Sequence, residues 1–168
     1  MTTPRARALV VSLMVSISLA SLCTLSSAQA GPRAKGVHPG HLAFRGSGET
    51  DELRTKMLAL VNRSREPRGL PALRIDDRLS REALAHSRKM SQAGVISHTS
   101  NLVEIISGVG GTVFGENVAR GRGLQGIRDA WLGGSETRAI LLDRRFHHVG
   151  LGVIHAGGYY WVTLQAFD

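Results

Sequence analysis

Between Thr50 and Arg65, apolar residues return at three- and four-residue steps, and Leu53, Met57, Leu60 and Val61 form one stripe. Thr50 ahead of Asp51-Glu52 gives the acidic first turn that a helix dipole favours, and Pro67 with Gly69 closes the segment. The spacing predicts a helix over 50–65, followed by a short extended connector, Leu70–Ile75. A second helix is predicted over Asp77–Ala93. Leu79, Ala83, His86 and Met90 mark its buried face, Asp76 or Asp77 its cap, and Gly94 its left-handed stop. Shorter helical patterns cover Leu102–Ser107, Leu124–Leu132 and Ser135–Leu142. Thr112–Arg120 reads as extended. His148–Ala156 alternates, Gly157-Gly158 is a two-residue turn signal, and Tyr159–Phe167 is the returning strand. Helices come first and antiparallel strands last, an order that predicts an α+β fold rather than a doubly wound sheet.

The N-terminal 30 residues follow a different logic. Arg5 and Arg7 precede an apolar run, Ala8–Leu25, and Ala28-Gln29-Ala30 matches a small-x-small cleavage pattern. This reads as a secretory signal peptide cut after Ala30 and lying outside the fold. An uncleaved anchor is the alternative, because the run approaches spanning length. The cleavage pattern and the absence of a basic stop-transfer flank favour the signal. Lipidation at Cys23 would call for a small residue before it, where Leu22 stands. Residues 31–48, rich in Gly, Pro and His and without periodicity, read as a linker, with His38 and His41 as spacer residues rather than metal ligands. Residues 31–168 are of single-domain size, and 49–168 read as the folded domain.

Cys23 is the one cysteine of the chain, so a product cut after Ala30 has neither disulfide nor thiolate chemistry. Removing Arg5 and Arg7 lowers the net charge from +8 to about +6. Arg63, Arg65 and Arg68 cluster near a helix end, and Arg120 and Arg122 flank Gly121. The basic residues are otherwise dispersed among acids, which fits a solvated surface with weak attraction to anionic lipids or polymers. Few aromatics and no reader motif argue against nucleic acid.

Candidate chemistry centres on Gly115-Glu116-Asn117, between apolar Val113-Phe114 and Val118-Ala119. A carboxylate in a buried extended segment needs a partner. His98, eighteen residues earlier, is the candidate. Such a pair can hold a metal, poise a proton, or satisfy itself.

These landmarks, in this order, resemble the CAP superfamily, or SCP domain, named for cysteine-rich secretory, antigen 5 and pathogenesis-related proteins. The resemblance rests on Leu60-Val61-Asn62-Arg63, Gly69-Leu70, Gly94 with His98, Gly115-Glu116-Asn117-Val118-Ala119, Trp131, Arg138, Val149–Val153 and Tyr160-Trp161-Val162. The lack of cysteines is similar to a bacterial, disulfide-free branch. The resemblance implies a three-layer α/β/α sandwich with a central antiparallel sheet and a cleft that in some members holds zinc. It casts His98 as the first cleft histidine and Glu116 as the glutamate, with Asn117 and Arg138 beside them. Thr137 stands where the family pattern has a second histidine, and Ile140 where it has an asparagine. His98 and Glu116 alone make a weak metal set, since zinc takes three or four protein ligands. Glu136 is a neighbouring substitute, and His147 and His148 read as surface residues at a strand start.

Two functions follow as expectations. The first is a secreted, non-catalytic binding module for a lipid, sterol or cell-envelope ligand, built on a degenerate His/Glu cleft without a required cofactor. The alternative is a protease-like hydrolase using His98 and Glu116, metal-assisted or not. Oligomeric state is left open by the sequence.

Overall fold

The computed structural model describes residues 9–16 and 48–168. Five strands and five helices follow one another as β1 (Leu9–Ser16), α1 (Gly48–Arg65), β2 (Arg74–Ile75), α2 (Asp77–Ala93), α3 (Leu102–Ser107), β3 (Val113–Gly121), α4 (Leu124–Gly133), α5 (Ser135–Leu141), β4 (His148–Ala156) and β5 (Tyr159–Phe167). The expected helices and hairpin all form. α1 begins at Gly48, so the last residue assigned to the linker is helical. His38 and His41 lie outside the described residues.

The sheet order is β1-β3-β5-β4-β2. β3, β5 and β4 are antiparallel neighbours, and Gly157 and Gly158 turn the β4–β5 hairpin at φ 60° and 75°, a region that suits glycine. Two features depart from the sequence reading. The connector residues Arg74 and Ile75 pair parallel to His148 and Val149, so the sheet is mixed at one margin. At the other margin Leu9–Ser16, expected outside the fold, pairs antiparallel with β3. An uncharged, mostly apolar run and an open strand edge have complementary backbone groups, and periodicity alone does not report that match.

Alternation along the strands sorts side chains between two helical layers. On one face Leu53, Met57 and Val61 of α1 join Ile127 and Trp131 of α4, Ile140 and Leu141 of α5, and Val149, Leu151, Val153, Val162, Leu164 and Ala166 of the sheet in the main core. On the other face Leu79, Leu102, Ile106, Phe114 and Phe167 form one cluster, and Met90, Val118 and Trp161 another. The result is the expected α/β/α sandwich. Burying each large apolar side chain contributes about 1.5–3 kcal/mol.

α2 is capped by Asp76, whose Oδ1 accepts from the Leu79 N–H at 2.7 Å, and stops at Gly94, φ 70°. It rests directly on β4. A β-carbon on Gly150 would run into Leu79, and one on Gly152 into the Ala83 carbonyl and the Leu84 nitrogen. Ser87 Oγ donates to Gly152 O at 2.9 Å and lies 2.9 Å from Thr163 Oγ1, so the seam between helix and sheet is partly polar. At the far end of α1 the fully buried Arg65 donates to the carbonyls of Pro71, Leu141, Asp143 and Phe146 at 2.8–3.1 Å, tying α1 to the α5–β4 connection.

Candidate functional site

Glu116 lies mid-strand in β3 with 0% exposure, on the face that looks toward α2 and α3. The loop that leaves α2 at Gly94 brings His98 and Thr99 over it. His98 Nδ1–H donates to Glu116 Oε1 at 2.7 Å, and the Thr99 backbone N–H donates to the same oxygen at 2.9 Å. Oε2 accepts from Thr99 Oγ1 at 2.6 Å and from Gln165 Nε2 at 2.8 Å. Gln165 also donates to Thr99 Oγ1 at 3.0 Å. A carboxylate offers about four acceptor positions, and protein donors take two bonds at each oxygen. Burial alone pushes the Glu116 carboxyl upward. The hydrogen bonds from His98, Thr99 and Gln165 and from the Thr99 backbone outweigh it and hold the group below its ordinary value.

The sequence singled out His98 and Glu116, and the structure joins them. It missed Gln165 and gave Thr99 no role. The remaining candidates lie elsewhere. Asn117, one residue along the strand, points to the opposite face, where its Nδ2 donates to the Thr137 carbonyl at 2.9 Å. Thr137 is buried there and its hydroxyl donates to Trp131 O at 2.8 Å. Arg138 and Glu136 are exposed on α5. The β-sheet thus stands between His98–Glu116 and Thr137. His147 is exposed, and His148 stacks on Phe167 at 5.2 Å. His86, read from sequence as a helix residue, donates from Nε2 to Ser97 O at 2.7 Å and holds the loop that carries His98.

Zinc, the metal that the family resemblance implies, does not fit these donors. Glu116 has no free lone pair, His98 Nδ1 is committed, and Thr137 faces away. Among the described residues no three His, Cys, Asp or Glu side chains converge. His98 Nε2 is the one ring atom left over, buried and without a hydrogen-bond partner.

A separate cavity of about 520 Å³ opens between α1 and the start of α4. Leu53, Ala59, Leu60, Leu124 and Tyr160 form its apolar walls, and Lys56, Arg63 and Arg122 its basic rim. Arg120 lies over the rings of Tyr159 and Trp161 at 5.0 and 5.3 Å, and Arg122, from the cavity rim, lies over Tyr159 at 5.3 Å.

The family model of cysteine-rich secretory proteins, the CAP domain, matches residues 58–166, well over half of the chain. The chain belongs to the CAP family. YkwD of Bacillus subtilis strain 168, itself uncharacterized, is 29% identical over 110 residues, which are 61% of this chain and 42% of YkwD. An extracellular SCP-domain protein from Bacillus anthracis superposes with a TM-score of 0.60 at 25% identity, over 71% of this chain and 41% of that one. An outer surface protein of Borrelia burgdorferi reaches 0.63 at 19% identity, over 70% of this chain and 92% of that one, a likeness of fold. This CAP chain therefore spans about two fifths of the Bacillus proteins it matches. No helix among its described residues is long and apolar enough to cross a membrane.

Proposed function

We propose that this chain is an exported CAP-domain binding module whose His98–Glu116 pair is a structural fastener rather than a catalytic or metal centre. The observation that carries this reading is the saturated carboxylate. Glu116 accepts four hydrogen bonds from His98, Thr99 and Gln165, which leaves no acceptor position for a metal ion or a reacting water. The ligand is an anionic amphiphile, an envelope or free lipid. Its apolar portion lies in the cavity between α1 and α4, and its headgroup meets Lys56, Arg63 and Arg122. Export is supported by the pattern of residues 1–30 and by the extracellular description of the B. anthracis protein.

The test is titration of the protein with lauric acid and with phosphatidylglycerol vesicles. Binding is expected to fall at least tenfold in Leu60→Glu and to persist in His98→Ala. Binding that depends on His98, or no binding to either probe, would sink the reading.

A second reading, hydrolysis, draws on His98 Nε2. Glu116 orients Nδ1 in the manner of a base and its orienting carboxylate. Against it, Nε2 is buried and Ser97 and Ser100, the nearest hydroxyls in sequence besides Thr99, are exposed residues of the same loop. Peptidase or esterase turnover abolished in a folded His98→Ala protein would establish it.

A further inference from the structure

The two margins of the sheet are built differently. The β2 margin is two residues long and carries Arg74, which blunts it against further pairing. The β3 margin runs for nine residues, is buried on both faces from Phe114 to Ala119, and contains neither proline nor lysine. Of its two charges, Glu116 is turned toward α2 and fully paired, and Arg120, near the end of the strand, lies over the rings of Tyr159 and Trp161. A long edge of this kind is a template for another strand. Leu9–Ser16 occupies it through eight consecutive register pairs, from Leu9 opposite Arg120 to Ser16 opposite Val113.

We propose that the outer edge of β3 is a strand-acceptor site. The chain fills it with its own Leu9–Ser16, and it receives an extended, uncharged, apolar peptide strand, antiparallel to β3, when that segment is displaced or removed. Removal of the N-terminal leader, as read above, leaves the edge vacant in the exported protein. Main-chain hydrogen bonds supply the affinity in such strand addition, and alternate side chains the selectivity. The chemistry of the occupant follows from the segment seated there: Leu-Val-Val-Ser-Leu-Met-Val-Ser has no charge, no proline and no glycine. A lone strand is favoured over a second copy of the sheet because β1 also packs against α4 and α5. A second copy pairing through its own β3 would bring its α4 and α5 into the same space. The proposal is independent of the lipid cavity, which lies between α1 and α4, and the two have separate readouts.

The experiment compares hydrogen–deuterium exchange of the full chain with that of a variant carrying Val11→Pro and Ser12→Pro. Adjacent prolines cover both pairing phases of the ladder, whichever N–H faces β3. The amides of 113–121 are expected to exchange at least tenfold faster in the variant, with near-UV circular dichroism unchanged. A synthetic peptide of residues 8–17 should restore their protection, and the same peptide with the two prolines should not. Unchanged exchange, loss of protection that the peptide does not restore, or protection regained merely by raising the protein concentration would each overturn the proposal. A second measurement uses the same variant: the peptide with a photo-cross-linker in place of Val11 should label the 113–121 segment of the two-proline chain, and label it less in the intact chain, whose own Leu9–Ser16 fills the edge. Labelling elsewhere, or none, would also overturn it.

Discussion

Gln165 and Glu116 are direct register partners across the β5–β3 ladder, and the amide of one donates to the carboxylate of the other at 2.8 Å. This cross-strand bond anchors the carboxylate from within the sheet, beneath the His98 loop. The loop then adds three more donors, two of them from Thr99. Glu116 is therefore an acceptor hub for two strands and a loop.

Removing the hub should be costly. Glu116→Ala leaves the backbone N–H and hydroxyl of Thr99 buried without their acceptor, and Gln165 Nε2 with Thr99 Oγ1 alone. Breaking a buried charged cluster on one side costs about 3–5 kcal/mol. A drop of several degrees or more in melting temperature is expected, with or without added zinc. Gln165→Leu removes one donor and should cost less, about 1–3 kcal/mol. Thermal unfolding of the two variants beside the parent protein checks both. An unchanged melting temperature for Glu116→Ala would mean that the carboxylate is solvated.

The same hub gives stability a pH dependence with a definite sign. The folded carboxyl of Glu116 is held below its ordinary value of 4.5. Its contribution is therefore fully present above that value and is lost as pH falls through the folded value. Asp168 adds to the acid limb, because its hydrogen bonds to Thr112 and Val113 outweigh its partial burial and draw it from 3.8 to about 2. Urea unfolding between pH 7 and pH 3 should show stability falling below about 4.5. In Glu116→Gln the fall should be shallower, since the group that takes up the proton is gone.

Putting a histidine at the position where the family pattern has one should not create a metal site. Thr137 is across the sheet from His98, and its hydroxyl is spent on Trp131 O. Thr137→His is expected to show no stoichiometric zinc by native mass spectrometry. An adduct that disappears again when His98→Ala is added would refute this geometry. Thr137→Val, nearly isosteric, should lower stability by about 1 kcal/mol through the lost hydrogen bond.

Most of the architecture was legible because the helices are one-sided and the hairpin turn is marked by Gly157-Gly158. The pairing of His98 with Glu116 was legible because a carboxylate flanked by apolar residues needs a partner. Gln165 was not. Both faces of β5 are buried, so its alternation separates one layer from another and not inside from outside. The polar residues Thr163 and Gln165 in an apolar strand were the available signal. Thr137 misled for a different reason. Its place in the motif aligns it with a cleft histidine, yet the side chain direction depends on how α5 meets the sheet, and Gly115 allows Ile140 to press against β3 there. The pairing of Leu9–Ser16 was hidden by the strength of the leader pattern in the same residues.

The close seating of α2 on Gly150 and Gly152 bears on how this molecule can move. A helix lying backbone to backbone on a strand has no cushion of side chains on which to roll or rise. Rearrangement around His98 must then be absorbed by the segment that follows the left-handed turn at Gly94. In any such rearrangement the loop would move and the helix would stay. Displacing His98 would expose the carboxylate of Glu116 while the sheet beneath keeps its shape.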